Sequence, residues 1–199
     1  MRAVCLGLGL FLGLTVVAEA AQQPAATPAS VPPRLRLKST AFNEATPIPK
    51  QYSCSAENGM PVTPPFQFTN VPQGTASFVL ILDNLDNHPM KGIDPELFWL
   101  TWNIPGNSPG LAAGVAAQSE LPNGMRQATL GRTVGYRPPC PPPGTGPIHY
   151  TFFLYALDRV LDSPPTSTKA DIQKAMDGHI VGSTILVGYF EREAAPRTN

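Results

Sequence analysis

His88, His149 and His179 are the three histidines of this 199-residue sequence. They are scattered, and their separations match no metal-ligand spacing. A hydrolase needs a nucleophile with a base beside it. No G-x-S-x-G, no H-E-x-x-H and no glycine-rich phosphate loop occurs to supply one. The expectation is a protein that is not an enzyme, with no cofactor and no metal. Lysine plus arginine and aspartate plus glutamate both number 14. That balance argues against a nucleic-acid partner or a polybasic membrane patch.

Cysteine chemistry depends on where the chain ends up. Residues 1–20, MRAVCLGLGLFLGLTVVAEA, place Arg2 before an apolar run from Ala3 to Val17 and then Ala18-Glu19-Ala20. This is the layout of a cleaved secretory signal, with the mature chain starting at Ala21. The apolar run is shorter than the ~20 residues of a membrane span, so no transmembrane segment is expected after cleavage. Cys5 leaves with the signal, and Cys54 and Cys140 remain. In an oxidising, periplasmic or extracellular compartment an even pair is read as bonded. The alternative is two buried thiols in a fold that keeps them apart.

The elements that must position these residues are mostly strands. Residues 21–34 form a Pro/Ala-rich linker with nothing to bury, residues 35–193 a single domain, and residues 194–199 a flexible tail. LRLKSTAF and FQFTNV read as short strands. ASFVLILDNLD reads as a central strand buried on both faces, and ELFWLTWNIP, HYTFFLYALD and TILVGYFERE as further strands. STKADIQKAMDGHI reads as a late helix with a Ser/Thr cap, Ile172, Ala175 and Met176 on one face, and Gly178 as its left-handed stop. Before HYTFFLYALD lies PPCPPPGTGP, with prolines at six of the ten positions from 138 to 147. That stretch lacks the donors of a central strand or helix interior and must be a stiff loop.

Taken in order, DNLDNHP, FWLTWNIP, PPCPPPGTGPIHYTFFLYALD and ADIQKAMDGHIVGSTILVGYFER resemble the phosphatidylethanolamine-binding protein family, in its bacterial Raf-kinase-inhibitor-like branch. The resemblance implies a mostly β fold, a central antiparallel sheet packed on a smaller sheet, with one or two helices near the C-terminus. It also implies a small pocket for an anion or phospholipid headgroup, with the proline-rich loop as a preorganised wall and Cys140 able to fasten that loop through Cys54.

Carried over by position, the pocket is altered. Asp86 matches the second aspartate of the family's D-P-D-x-P element, whereas Asn84 replaces the first, and Pro89 closes the element only with one residue inserted before it. Trp99 matches the family tryptophan, but Phe98 replaces the histidine before it. Tyr150 matches the family tyrosine, while Ile148 stands in place of the second histidine. Arg137 and Pro138 replace two glycines.

Asp86 reads as an anchor for a ligand amine or as a turn cap, and Tyr150 as a donor to an anion or as a strand tyrosine bonded to backbone. Arg137 reads as a partner of Asp86 or of an anion. His88 lies near the rim, as a partial substitute for a lost histidine. His149 is expected on the face away from the pocket by strand alternation, and His179 as a packing or capping residue. The candidate ligand-binding set is Asp86, His88, Pro89, Trp99, Arg137 and Tyr150, with a disulfide between Cys54 and Cys140. Two lost charged hydrogen bonds would cost roughly 3–6 kcal/mol, about two to four orders of magnitude in affinity. The expectation is an exported, non-enzymatic binding protein for a small anionic or apolar ligand. The alternative is a protein partner, such as an envelope protease inhibited through the proline-rich loop surface.

Overall fold

A computed structural model describes residues 34–194. The expectations for the signal, for residues 21–33 of the linker and for most of the tail therefore lie outside the described residues. Eleven strands and one α-helix follow in chain order: β1 (Arg36–Ser39), β2 (Thr46–Pro47), β3 (Phe66–Thr69), β4 (Ser77–Asn84), β5 (Glu96–Pro105), β6 (Gly110–Leu111), β7 (Arg126–Gln127), β8 (Thr129–Leu130), β9 (Thr133–Val134), β10 (Ile148–Leu157), α1 (Lys169–Met176) and β11 (Ile180–Phe190). Six strands make the main sheet, in the order β2-β11-β10-β4-β5-β7. Its pairs are antiparallel except for the two-residue contact of β2 with β11. A three-stranded sheet, β1-β3-β6, packs on it, and β8-β9 form a small hairpin.

Alternation along β4 explains why this strand is buried from end to end. Phe78, Leu80 and Leu82 point into the core between the sheets, where Phe66 lies 4.9 Å from Phe152 and Phe68 lies 4.9 Å from Phe78, ring centre to ring centre. Val79 and Ile81 point the other way, into a second cluster with Leu100, Trp102, Ile172 and Met176. Both tryptophans are fully buried. Removing each from water contributes at most about 5 kcal/mol on area grounds. Each also finds a partner for its indole N–H: Trp99 donates to Gln127 Oε1 at 2.8 Å and Trp102 to the Ser163 carbonyl at 3.1 Å.

The helix covers that second face. Thr168 Oγ1 accepts from the Asp171 N–H at 3.2 Å, and the Asp171 carboxylate accepts from the Thr168 N–H at 2.9 Å, a reciprocal cap. The Thr168 hydroxyl also donates to Asp171 Oδ2 at 2.7 Å, and this bond, with the one from the Thr168 N–H, holds the Asp171 carboxyl below its ordinary range. Gly178, at φ +76°, ends the turn as its position in the sequence implies.

Candidate functional site

Three neighbouring strands of the main sheet end side by side. In the β10–β4–β5 register, Tyr150 lies opposite Asn84, and Asn84 opposite Glu96. Residues 137–145 run across these ends as a wall. The result is a cleft of about 500 Å³ lined by Asn84, Asp86, Asn87, Glu96, Phe98, Arg137, Pro138, Cys140, Pro141, Pro142, Thr145, Ile148 and Tyr150.

The wall is fastened at several points. The Arg137 N–H donates to the Phe98 carbonyl at 2.8 Å, and the Cys54 N–H donates to the Pro139 carbonyl at 3.0 Å. Cys54 and Cys140 are joined by a disulfide. Tyr136, one residue before the wall, donates its hydroxyl to the Tyr52 carbonyl at 2.6 Å. Burial raises that hydroxyl well above the usual tyrosine range, with Tyr150 and Tyr52 adding to the effect. Gly144 donates its N–H to the Arg192 carbonyl at 2.9 Å. Few of these proline-rich residues could bond to one another, so the loop is tied to its neighbours.

The charges inside the cleft are already paired. Arg137 Nη2 donates to Glu96 Oε1 at 2.6 Å and to the Leu97 carbonyl at 2.9 Å. Its guanidinium carbon sits 4.0 Å from the centre of the Phe98 ring, a cation–π contact. The Phe98 ring stands edge-on to Tyr150 at 5.1 Å. The other Glu96 oxygen takes Asn87 Nδ2 at 2.5 Å. Asp86 Oδ2 accepts the His149 N–H at 2.6 Å and lies 3.0 Å from His149 Nδ1. Burial lifts the Tyr150 hydroxyl to about 12, and the Glu96 and Asp86 charges add to that, while a backbone contact at Cys140 and the Arg137 charge pull the other way. The phenol therefore stays protonated at neutral pH and keeps its donor. Arg137 Nε is buried without an acceptor.

The structure brings Asp86, Arg137, Tyr150 and Cys140 into one cleft and leaves three of the candidates outside its lining. Trp99 is buried behind it, edge-on to Tyr136 at 5.6 Å. His88 and Pro89 are exposed in the turn between β4 and β5. Arg137 pairs with Glu96, not with Asp86, because Asp86 already serves the β10 backbone. His149 has its ring 54% exposed and does not line the cleft, although its backbone N–H reaches Asp86. His179 bonds Asp158 at 2.9 Å and Arg159 at 3.1 Å.

Sequence reading missed Glu96 and Asn87. Their signal was the antiparallel turn from β4 to β5, which returns the chain to the same sheet end. A hollow of about 570 Å³ beside the start of α1 has Lys169 as its one charged lining residue, and Asp83 holds that amine at 2.6 Å. Among the described residues no three His, Cys, Asp or Glu side chains converge as a metal site needs.

A family model described as phosphatidylethanolamine-binding protein matches residues 38–191. A UPF0098 protein of Methanothermobacter thermautotrophicus is 40% identical over 163 residues, covering 79% of this chain and 99% of its own. A candidate lipoprotein of Mycobacterium tuberculosis, LppC, is 35% identical over 176 residues, covering 88% of this chain and 81% of its own. Among solved structures, a candidate homologue of the family from Chlamydia trachomatis is similar at a TM-score of 0.70 and 34% identity, covering 80% of this chain and 99% of that one. Escherichia coli YbcL shares the fold at a TM-score of 0.69 and 20% identity, covering 81% and 100%. The family match starts within β1 and runs past the end of β11, so nearly all of the described fold falls inside it: the chain belongs to the phosphatidylethanolamine-binding protein family.

Proposed function

We propose that the protein is an exported, non-enzymatic binding protein whose cleft favours a ligand more apolar than a free phosphate. One observation carries this reading. The only arginine of the cleft is neutralised by Glu96 and seated over Phe98. An incoming anion would meet Asp86 and Glu96 as well as Arg137, and would lose its hydration against the carbon of Phe98 and Ile148. The remaining polar groups, the Tyr150 hydroxyl among them, can orient a ligand without demanding charge. Export is supported by the signal-like N-terminus and by the lipoprotein name of one relative. No described helix is long and apolar enough to cross a membrane.

Calorimetry with inorganic phosphate and phosphoethanolamine tests the reading. The unmodified protein is expected to bind both more weakly than millimolar. A Phe98→His plus Ile148→His variant regains two donors and is expected to bind phosphate about 100-fold tighter or more. Micromolar phosphate binding by the unmodified protein would overturn the reading.

A further inference from the structure

The last strand leaves much of one edge open. β11 is paired along its length with β10, but on its far side β2 reaches only Gly188 and Tyr189. Val187 shows which groups face outward. Its carbonyl accepts the Ala45 N–H at 2.8 Å, and its N–H lies 3.3 Å from the Glu44 carboxylate oxygens. With a period of two, Ser183 and Ile185 turn their N–H and C=O to the same edge. No described strand pairs with them there.

The guards on this edge are few: a bulge at Val181, where the register with β10 steps from Gly182 to Ile180, and the Glu44 carboxylate at Val187. Native edge strands are blunted by charges, prolines, bulges or short length. The 11 residues Ile180–Phe190 contain no charged residue and no proline. Ile180, Val181 and Ile185 are 47%, 40% and 51% exposed.

Two adjoining hollows, of about 410 and 450 Å³, lie between this edge and β1 and share Arg36, Thr184 and Ile185. Their β1 side carries Arg34, Arg36 and Lys38, and among the described residues no carboxylate forms an ion pair with any of them. At the near end the one acid, Glu44, already docks its carboxylate on the open edge.

We propose that the Ile180–Leu186 edge is a docking site for an extended, acidic peptide segment of a partner protein, which joins the main sheet as a strand beyond β11. The occupant continues the line that β2 begins. Its backbone satisfies Ser183 and Ile185, its apolar residues meet Ile185, Phe153 and Tyr155, and its acids meet Arg36 and Lys38. A second copy fits less well, because two such edges would bring two basic rows together. This site is separate from the cleft and does not depend on the function proposed for it.

The test is fluorescence anisotropy on the purified protein, with a labelled octapeptide of alternating glutamate and valine. Saturable binding is expected. Methylating alternate backbone nitrogens of the peptide should weaken it about tenfold or more, because pairing donors are lost while charge is kept. Arg36→Glu plus Lys38→Glu, both on exposed positions, should also weaken it, by about tenfold at low salt and less at high salt. Three results would each overturn the proposal: no binding, equal binding of a lysine–valine peptide, or indifference to backbone methylation. A stable dimer in sedimentation that is broken by Ser183→Pro would also overturn it, by assigning the edge to a second copy.

Discussion

Releasing Arg137 from Glu96 should turn the cleft towards anions. In Glu96→Gln the carboxylate 2.6 Å from Arg137 Nη2 becomes a neutral amide of nearly the same shape. The guanidinium stays in place, because the Leu97 carbonyl at 2.9 Å and the Phe98 ring at 4.0 Å still hold it. Among Asp86, Glu96 and Arg137, the cleft goes from two carboxylates against one guanidinium to one against one. A phosphate bound beside Arg137 would lie ~5 Å from the old carboxylate. There a unit repulsion at an effective dielectric of about 20 is worth roughly 3 kcal/mol. Glu96 and Arg137 are 24% and 35% exposed, so solvent screening reduces this to about 1–2 kcal/mol. Phosphate should bind about 5- to 30-fold tighter in the variant.

Calorimetry at low ionic strength measures the change, and a thermal melt checks that folding costs less than about 1 kcal/mol. Asp86→Asn is the control, since it removes a charge from the same cleft without touching Arg137. A general field effect would make both variants gain equally. Release of the guanidinium makes Glu96→Gln gain more. A folded Glu96→Gln variant whose phosphate affinity stays within twofold of the unmodified protein would refute the reasoning.

Two further outcomes concern stability. Asp83 has one carboxylate oxygen with no hydrogen-bond partner, and burial raises its carboxyl above the ordinary value, with the Lys169 bond opposing and Asp94 adding. Its folded form therefore holds the proton more tightly than the unfolded chain, so its contribution is most favourable at low pH and is lost as pH rises through the raised value. Lys169→Met should destabilise by about 3 kcal/mol at pH 7, near the low end for a buried pair because Lys169 is 20% exposed. That loss should shrink towards pH 4 in urea melts, and a pH-independent loss would mean that packing, not charge, is what Lys169 supplies. Breaking the Cys54–Cys140 bond, which spans 86 residues, by Cys54→Ala plus Cys140→Ala should cost about 4–5 kcal/mol in the chain-entropy model. Hydrogen exchange should then rise first around Cys140 and Thr145, and unchanged exchange there would show that the other wall contacts suffice.

The parts of this fold that were legible in the sequence are those set by local periodicity. β4, β5 and β10 announced themselves as long apolar runs, and α1 by Thr168 and Gly178 at its ends. β2, β6, β7, β8 and β9 are two residues each, too short to show any period, and they exist because a longer neighbour offers them a ladder. The site divides the same way. Asp86, Arg137 and Tyr150 could be placed near one another only through the family resemblance, which puts the turn after β4, the start of the proline-rich loop and the start of β10 around one pocket. Which carboxylate Arg137 would choose could not be read, because that depends on the β4–β5 register across a turn.

That register puts Glu96 opposite Asn84, while Asp86 is drawn away to the β10 backbone. It also gives Phe98 a role of its own. An arginine 4.0 Å over an aromatic ring is held by that ring. Phe98 and Arg137 therefore work as a matched pair, and histidine at 98 alone would set a second cation donor against the guanidinium. Donors therefore have to be introduced at 98 and 148 together, and an anion should gain most when Glu96→Gln also frees Arg137.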